Sequence, residues 1–322
     1  MAVVSGKGTV CILGGAGFVG QTLAAKLADR GYSVRIPTRN RQRARGLLVL
    51  PALDLIQADV HDPEQLAAVL SGTDAVINLI GILNERGHDG GGFRHAHVEL
   101  AEKLVATCRK LGVRRLIQMS SLKANAERGP SHYLTTKGQA EQIIEKQAGE
   151  SIQYTIFRPS VIFGSEDTFC NRFARILRLS PILPMARLDA RFAPVWVGDV
   201  AEAFASALDD SRTFGQTYEL CGPDVYTLEE ILRTICRELG IRRAIVKLPR
   251  PLGRLQAWIS EYLIPGKPFS RDNFRSLTVA SVCRENGFAA FGIQPKAMQP
   301  IVGAYLNRRI DPLAAIRQNS RH

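Results

Sequence analysis

The sequence predicts an α/β fold, a doubly wound parallel sheet with a smaller C-terminal α/β lobe, on three observations. Short β-branched runs alternate six times with amphipathic segments in the first half of the 322 residues. A glycine-rich turn links the first run to the first helix, and beyond Phe163 the alternation breaks down as prolines such as Pro181, Pro184, Pro194 and Pro223 accumulate. Strand then helix, repeated, requires crossover connections and a sheet covered on both faces. Residues 1–160, with 190–210 returning, are expected to form the sheet domain, and 161–189 with 211–322 the smaller lobe.

Taken in order, strands are expected at 10–13, 33–36, 53–57, 75–80, 116–119 and 154–157, with helices at 19–30, 63–70 and 93–111 between them. In the second half, Thr227 and Glu230 form a capping box for a helix over 228–239, and Gly240 supplies its stop.

The first strand runs into Gly-Gly-Ala-Gly-Phe-Val-Gly, where Gly14, Gly17 and Gly20 stand three apart as the first helix opens. Glycine at these places allows a tight turn and close backbone approach, and the first turn of the helix, at Phe18 and Val19, points free N–H groups at a pyrophosphate. A strand, this loop and a helix at the start of a parallel sheet are the Rossmann arrangement for a dinucleotide. At the end of the second strand an acid would select the ribose 2′-hydroxyl, but Thr38 and Arg39 stand there. Arginine suits a 2′-phosphate, so NADP(H) is expected over NAD(H). Asp59 and Val60 follow the third strand, where a carboxylate can accept from the adenine amino group; Asp62 is the better cap for the next helix. Leu79, Ile80 and Gly81 close the fourth strand, where backbone lies beside the cofactor, and Asn78 precedes them with a structural or a binding role.

Tyr133 and Lys137 have a four-residue spacing that puts both on one helix face. A neighbouring ammonium favours phenolate, which lets the phenol exchange a proton with an alcohol or carbonyl near neutral pH. Ser120 and Ser121 end the fifth strand, where a hydroxyl can polarise a carbonyl, although alternate side chains of a strand face opposite ways.

With the glycine loop, this constellation resembles the extended or atypical branch of the short-chain dehydrogenase/reductase superfamily. The likeness also covers the segments 157–164, 194–201 and 291–295. It implies Tyr133 as acid/base, Lys137 as holder of the nicotinamide ribose that also lowers the phenol pKa, Ser121 as the third catalytic group, and Ser120 beside the cofactor. It further implies backbone from Pro159 to Ile162 along the nicotinamide. One departure stands out: where the catalytic Ser or Thr of the epimerases follows two serines, this chain has Leu122. Within the superfamily, the stretches at 75–83, 120–141 and 157–185 look most like the Rossmann-fold accessory subunit of respiratory complex I and its bacterial relatives, in which NADPH is structural or regulatory. Two functions follow from the resemblance. One is oxidoreductase, epimerase or dehydratase chemistry on a carbonyl or secondary alcohol. The other is a non-catalytic, NADPH-stabilised accessory or assembly subunit of an NADH:quinone oxidoreductase.

Composition narrows the partners. The net charge of +12 favours anions, with five Arg and no acid from Arg35 to Arg45, and ten Lys or Arg against three acids over 233–275. The basic residues are scattered, without the aromatic interleaving of a nucleic-acid surface, so a small molecule or an anionic membrane surface is expected instead, and the resemblance adds a respiratory complex as a partner. The segment 249–269 mixes Leu252, Leu255, Trp258, Ile259, Tyr262 and Leu263, at helical spacing, with Arg250, Arg254 and Lys267. A core helix of the second lobe is the commoner outcome of such a pattern and an interfacial helix the alternative. Six cysteines at least 15 residues apart read as reduced, buried thiols. No signal peptide, spanning segment or metal-ligand spacing is visible, and a cytoplasmic protein, peripheral on the inner face of a membrane, is expected.

Overall fold

In the computed structural model, which describes residues 7–264 and 269–308, the chain divides into two units. The first comprises residues through Pro159 with Gly198–Leu220 and Glu285–Gln294; the second comprises Ser160–Val197, Cys221–Arg284 and the residues from Pro295 onward. Lys267 and His322 lie outside the described residues.

The first half contains β1 (Thr9–Leu13), α1 (Phe18–Asp29), β2 (Ser33–Thr38), β3 (Leu53–Gln57), α2 (Pro63–Leu70), β4 (Ala75–Asn78), α3 (Gly91–Phe93), a π-helical stretch (Arg94–Glu99), α4 (Leu100–Leu111), β5 (Arg115–Met119), α5 (His132–Ala148) and β6 (Gln153–Pro159). It continues with β7 (Ile162–Phe163), α6 (Cys170–Leu179), β8 (Ile182–Ala186), β9 (Arg191–Phe192), β10 (Val195–Trp196), α7 (Val197–Ala207), β11 (Gln216–Leu220), β12 (Tyr226–Thr227), α8 (Leu228–Glu238), β13 (Ala244–Leu248), α9 (Arg250–Leu263), α10 (Arg271–Ser276) and α11 (Met298–Arg308).

The first unit is a seven-stranded sheet in the order β11-β6-β5-β4-β1-β2-β3, with every pair parallel. Every residue of β4 and β5 is buried, as crossover helices on both faces demand. Leu13, Leu66, Leu100, Leu104, Leu116 and Ile144 form one side of the core. The strand order reverses between β1 and β4, and that switch point is where an open α/β sheet leaves a crevice beyond its carboxyl ends. The returning segment, expected at 190–210, runs 198–220, because β11 completes the sheet edge by pairing along β6 from Thr155 to Pro159. The fourth strand ends at Asn78 rather than at residue 80. There the Asn78 side chain donates to Gln118 Oε1 (2.9 Å) and accepts from the Ile80 N–H (3.1 Å), turning the chain out of the ladder.

The second unit packs α6, α8 and α11 around Phe163, Leu177, Leu232, Ile235 and Leu306. Its helix at 228–238 carries the expected capping box of Thr227 and Glu230. Two expectations are corrected here. Cys221 and Cys283 form a disulfide, with Cα atoms 6.0 Å apart, because the residue after β11 and the segment before residue 285 run side by side; Cys11, Cys108, Cys170 and Cys236 are free and buried. Nor is α9 a core helix in the expected sense: it buries Gly253, Ala257, Ser260 and Glu261 and leaves its large apolar residues exposed. Among the described residues no helix is long and apolar enough to cross a membrane.

Candidate dinucleotide site

The glycine loop is shaped by contacts that side chains would obstruct. Gly14 has φ +79°, in the left-handed region, and a Cβ there would press on the Leu79–Ile80 backbone at 3.3 Å. At Gly20 a Cβ would lie 2.5 Å from Gly15 Cα, so α1 seats directly on the loop only because glycine stands there. Gly15, outside the three-residue spacing, is equally restricted: its Cβ would meet Ile36 at 2.8 Å and the Ile12 carbonyl at 2.9 Å. The adjacent Gly-Gly pair is its only signal in sequence. Gly17 caps α1 without any side-chain hydrogen bond, and no acidic residue stands in the first turn with Phe18 and Val19. The free N–H groups and positive end of α1 therefore face outward uncompensated, which fits a pyrophosphate.

Thr38 ends β2 and its hydroxyl accepts from the Asn40 N–H (3.3 Å), while Arg39 is exposed and makes no ion pair with another described residue. Asp59 and Val60 lie past the end of β3, not within it. Asp59 Oδ1 accepts from the His61 N–H (3.0 Å), and Asp62 is the cap of α2, accepting from Glu64 and Gln65. Asp59 is thus spared the capping role.

At the ends of β4 and β5 the buried Lys137 amine donates to the carbonyls of Ile80 (3.2 Å) and Met119 (3.0 Å), tying the two strand ends together. Burial lowers its pKa to about 8, opposed in part by Glu141. Gly81 leaves room for this, since a Cβ there would be 3.1 Å from the Lys137 Nζ. Ser131 caps α5 by accepting from the Leu134 N–H and so fixes the turn that carries Tyr133. Ser121 hydrogen-bonds the Tyr133 phenol, whereas the Ser120 hydroxyl is buried without a hydrogen-bond partner among the described residues. The expected lowering of the phenol pKa by Lys137 is not what the geometry gives. Burial raises Tyr133 above its ordinary value, the Ser121 bond offsets this in part, and the Lys137 charge is directed at backbone carbonyls. Leu122 is buried and its N–H donates to the Pro159 carbonyl (3.0 Å), so no hydroxyl occupies that place. Ile162 lies in the second unit, where β7 pairs with β10 at Val195.

His97 joins the site without having been legible in sequence, because a lone histidine within a helical pattern carries no signal. Its Nε2 accepts from the Ile82 N–H (3.3 Å), and its Nδ1 meets the Thr136 hydroxyl (2.9 Å), whose own proton goes to the His132 carbonyl (2.7 Å). The network assigns the neutral Nδ1–H tautomer. Burial, then the Lys137 charge, lowers its pKa to about 2. The ring stands edge-on to Tyr133, with centroids 5.7 Å apart, and Phe93 flanks both.

The residues present therefore fit a nicotinamide dinucleotide: a glycine cradle, an uncapped helix terminus, an orphaned hydroxyl at Ser120 and a buried amine. Comparison with known proteins agrees. A family of NAD(P)H-binding proteins matches residues 14–172. The mitochondrial NADH dehydrogenase (ubiquinone) 1 alpha subcomplex subunit 9 of Arabidopsis thaliana is 31% identical over 290 residues, covering 85% of this chain and 71% of the plant protein. The 40 kDa subunit of mitochondrial NADH-ubiquinone oxidoreductase from Neurospora crassa is 30% identical over 250 residues, covering 77% and 64%. Among solved structures, the UDP-glucose 4-epimerase of Thermus thermophilus in complex with NAD shares the fold at a TM-score of 0.69 and 19% identity, over 93% of this chain and 98% of its own. The chain belongs to the NAD(P)H-binding Rossmann family that includes the alpha subcomplex subunit 9 proteins of NADH dehydrogenase.

Proposed function

We propose that this protein is an NADPH-stabilised accessory or assembly subunit of a respiratory NADH:quinone oxidoreductase. The observation that carries this reading is the 31% identity with the plant complex subunit along 85% of the chain. The site supports it: the glycine loop is shaped to take a dinucleotide, while Leu122 is buried in place of a third hydroxyl and the Tyr133 phenol is pushed up rather than down. A ligand held only by the native state raises stability by about 2.7 kcal/mol at a hundred times its dissociation constant. NADPH is therefore expected to raise the unfolding midpoint, and the protein to comigrate with the respiratory complex when native membranes are solubilised gently. Migration only as a free species would overturn this reading.

The end of β2 supports NADPH over NADH. No carboxylate stands there to repel a 2′-phosphate, and the Arg39 guanidinium is exposed, with no ion-pair partner among the described residues. Arg39→Ala should narrow the preference for NADPH by about 1.5 to 3 kcal/mol, the range for a hydrogen bond to a charged group. Equal affinities for the two cofactors in the unaltered protein would dismiss the assignment.

A second reading rests on the hydrogen bond between Ser121 and Tyr133. That pair can polarise and protonate a carbonyl oxygen, with the bound cofactor supplying hydride, which would make the protein an NADPH-dependent reductase. NADPH oxidation with a panel of ketones and quinones, lost in Tyr133→Phe with cofactor affinity unchanged, would favour it over the first.

A further inference from the structure

The second unit carries a helix docked by what would ordinarily be its weaker face. Around α9, at 100° per residue, Trp258, Tyr262, Leu255, Ile259, Leu252 and Leu263 fill one continuous arc of about 140°. All six are exposed, Trp258 by 45% and Leu263 by 66%. The opposite arc is small and polar. Gly253 seats on β8 so closely that a Cβ there would lie 2.4 Å from the Ala186 Cβ, Ser260 accepts from the Phe269 N–H, and Glu261 is held by Arg271 at 3.0 Å. A large apolar stripe left facing water marks an interaction site.

Charge indicates what covers it. Of the exposed ionic residues of the helix, Arg254 borders the apolar arc about 40° beyond Trp258 and Arg250 opens the first turn; the one acid, Glu261, is buried and paired. At its first turn lies a cavity of about 280 Å³ lined by Arg187, Lys247 and Arg250 with the single acid Asp189, which sits 4.0 Å from Lys247. The Arg187 Nε is buried there without a hydrogen-bond partner among the described residues. The Trp258 and Tyr262 rings lie side by side at 5.4 Å, amphipathic groups of the kind that settle at headgroup depth. An apolar arc bordered by arginine and aromatic residues, beside a cationic cavity, has the chemistry of a helix lying in a bilayer interface.

We propose that the outward face of α9 docks the second unit on an anionic phospholipid bilayer, with Leu255, Trp258, Ile259 and Tyr262 entering the interface and Arg187, Lys247 and Arg250 meeting headgroup phosphates. The proposal uses no residue of the dinucleotide site.

Vesicle flotation with the full chain tests it, using phosphatidylcholine alone and phosphatidylcholine mixed with phosphatidylglycerol. The protein should float with the anionic vesicles at low salt and detach at high salt. Trp258→Glu should abolish flotation, and each of Lys247→Ala and Arg250→Ala should weaken it about fivefold, as one surface charge near an anionic leaflet predicts. Trp258 is one of two tryptophans, so in a Trp196→Phe background its emission should shift to the blue on binding. Because Trp258 is exposed, retention of the NADPH-induced thermal shift verifies that the variant is folded. Failure to float with anionic vesicles overturns the proposal. So does a concentration-dependent dimer, or comigration with a respiratory complex, that Trp258→Glu abolishes in the absence of lipid binding, because the face would then belong to protein.

Discussion

Lys137 and His97 meet the same problem, a basic side chain inside a sheet edge, in opposite protonation states. The lysine keeps its charge by donating to two carbonyls; the histidine surrenders its charge by accepting from the Ile82 N–H. Burial holds the imidazole neutral, and the Lys137 charge beside it adds to this. Its folded pKa of about 2 lies below the ordinary 6.5, so its contribution to stability is full above about pH 6.5 and is lost as the pH falls toward 2. Between pH 7 and pH 5 the native state should lose about 2 kcal/mol from this residue. Urea unfolding at the two pH values measures it, and His97→Gln should lose that part of the pH dependence. Part of the candidate site is legible in sequence, because glycine spacing and the Tyr133–Lys137 interval are local patterns with a chemical reason behind them. His97 and Gly15 are not. Their importance comes from backbone groups of Ile82 and Ile12 and the side chain of Ile36, which the fold brings near and no spacing announces.

Among elements, α9 shows where periodicity stops being informative. Its pattern fixes a helix and an apolar stripe, but says nothing of which side is docked, because a small stripe of Gly253, Ala257 and Ser260 permits closer approach than leucines do. The two sides should answer differently to mutation. Gly253→Ala, which drives a methyl into Ala186 and Phe274, should cost about 1 to 3 kcal/mol as an overpacked core position. Leu255→Ala on the exposed side should stay within about 0.5 kcal/mol. Thermal unfolding of both variants decides it, and the reverse ranking would return the apolar stripe to the core. The sheet is easier to read, since runs such as Ala75–Asn78 and Arg115–Met119 are buried on both faces and have to be continuous in sequence. Between β4 and α4 the π-helical stretch Arg94–Glu99 leaves no sequence mark, although it carries His97. A π turn accommodates one residue more than an α turn, so a single deletion there would convert it to an α turn and disturb the placement of His97 while leaving α4 in phase.

For the molecule as a whole, the Cys221–Cys283 bond is the feature that composition misreads, because buried thiols and bonded ones look alike until the chain has folded. It closes a loop spanning 62 positions. Loop-closure entropy assigns such a cross-link about 4 kcal/mol. A thiol reductant should therefore lower the unfolding midpoint of the native protein and leave a Cys221→Ser, Cys283→Ser variant unmoved, as calorimetry would record. The path of the chain has a further consequence, in time rather than in space. The first unit needs β11 at its sheet edge and the segment through Gln294, and both are threaded behind the residues of the second unit. A ribosome releasing the chain from its N-terminus exposes six strands of an unfinished sheet, and their missing neighbour is synthesised only after 160–197 has emerged. The first unit is complete only once residue 294 has emerged, and the second only once α11 has followed it.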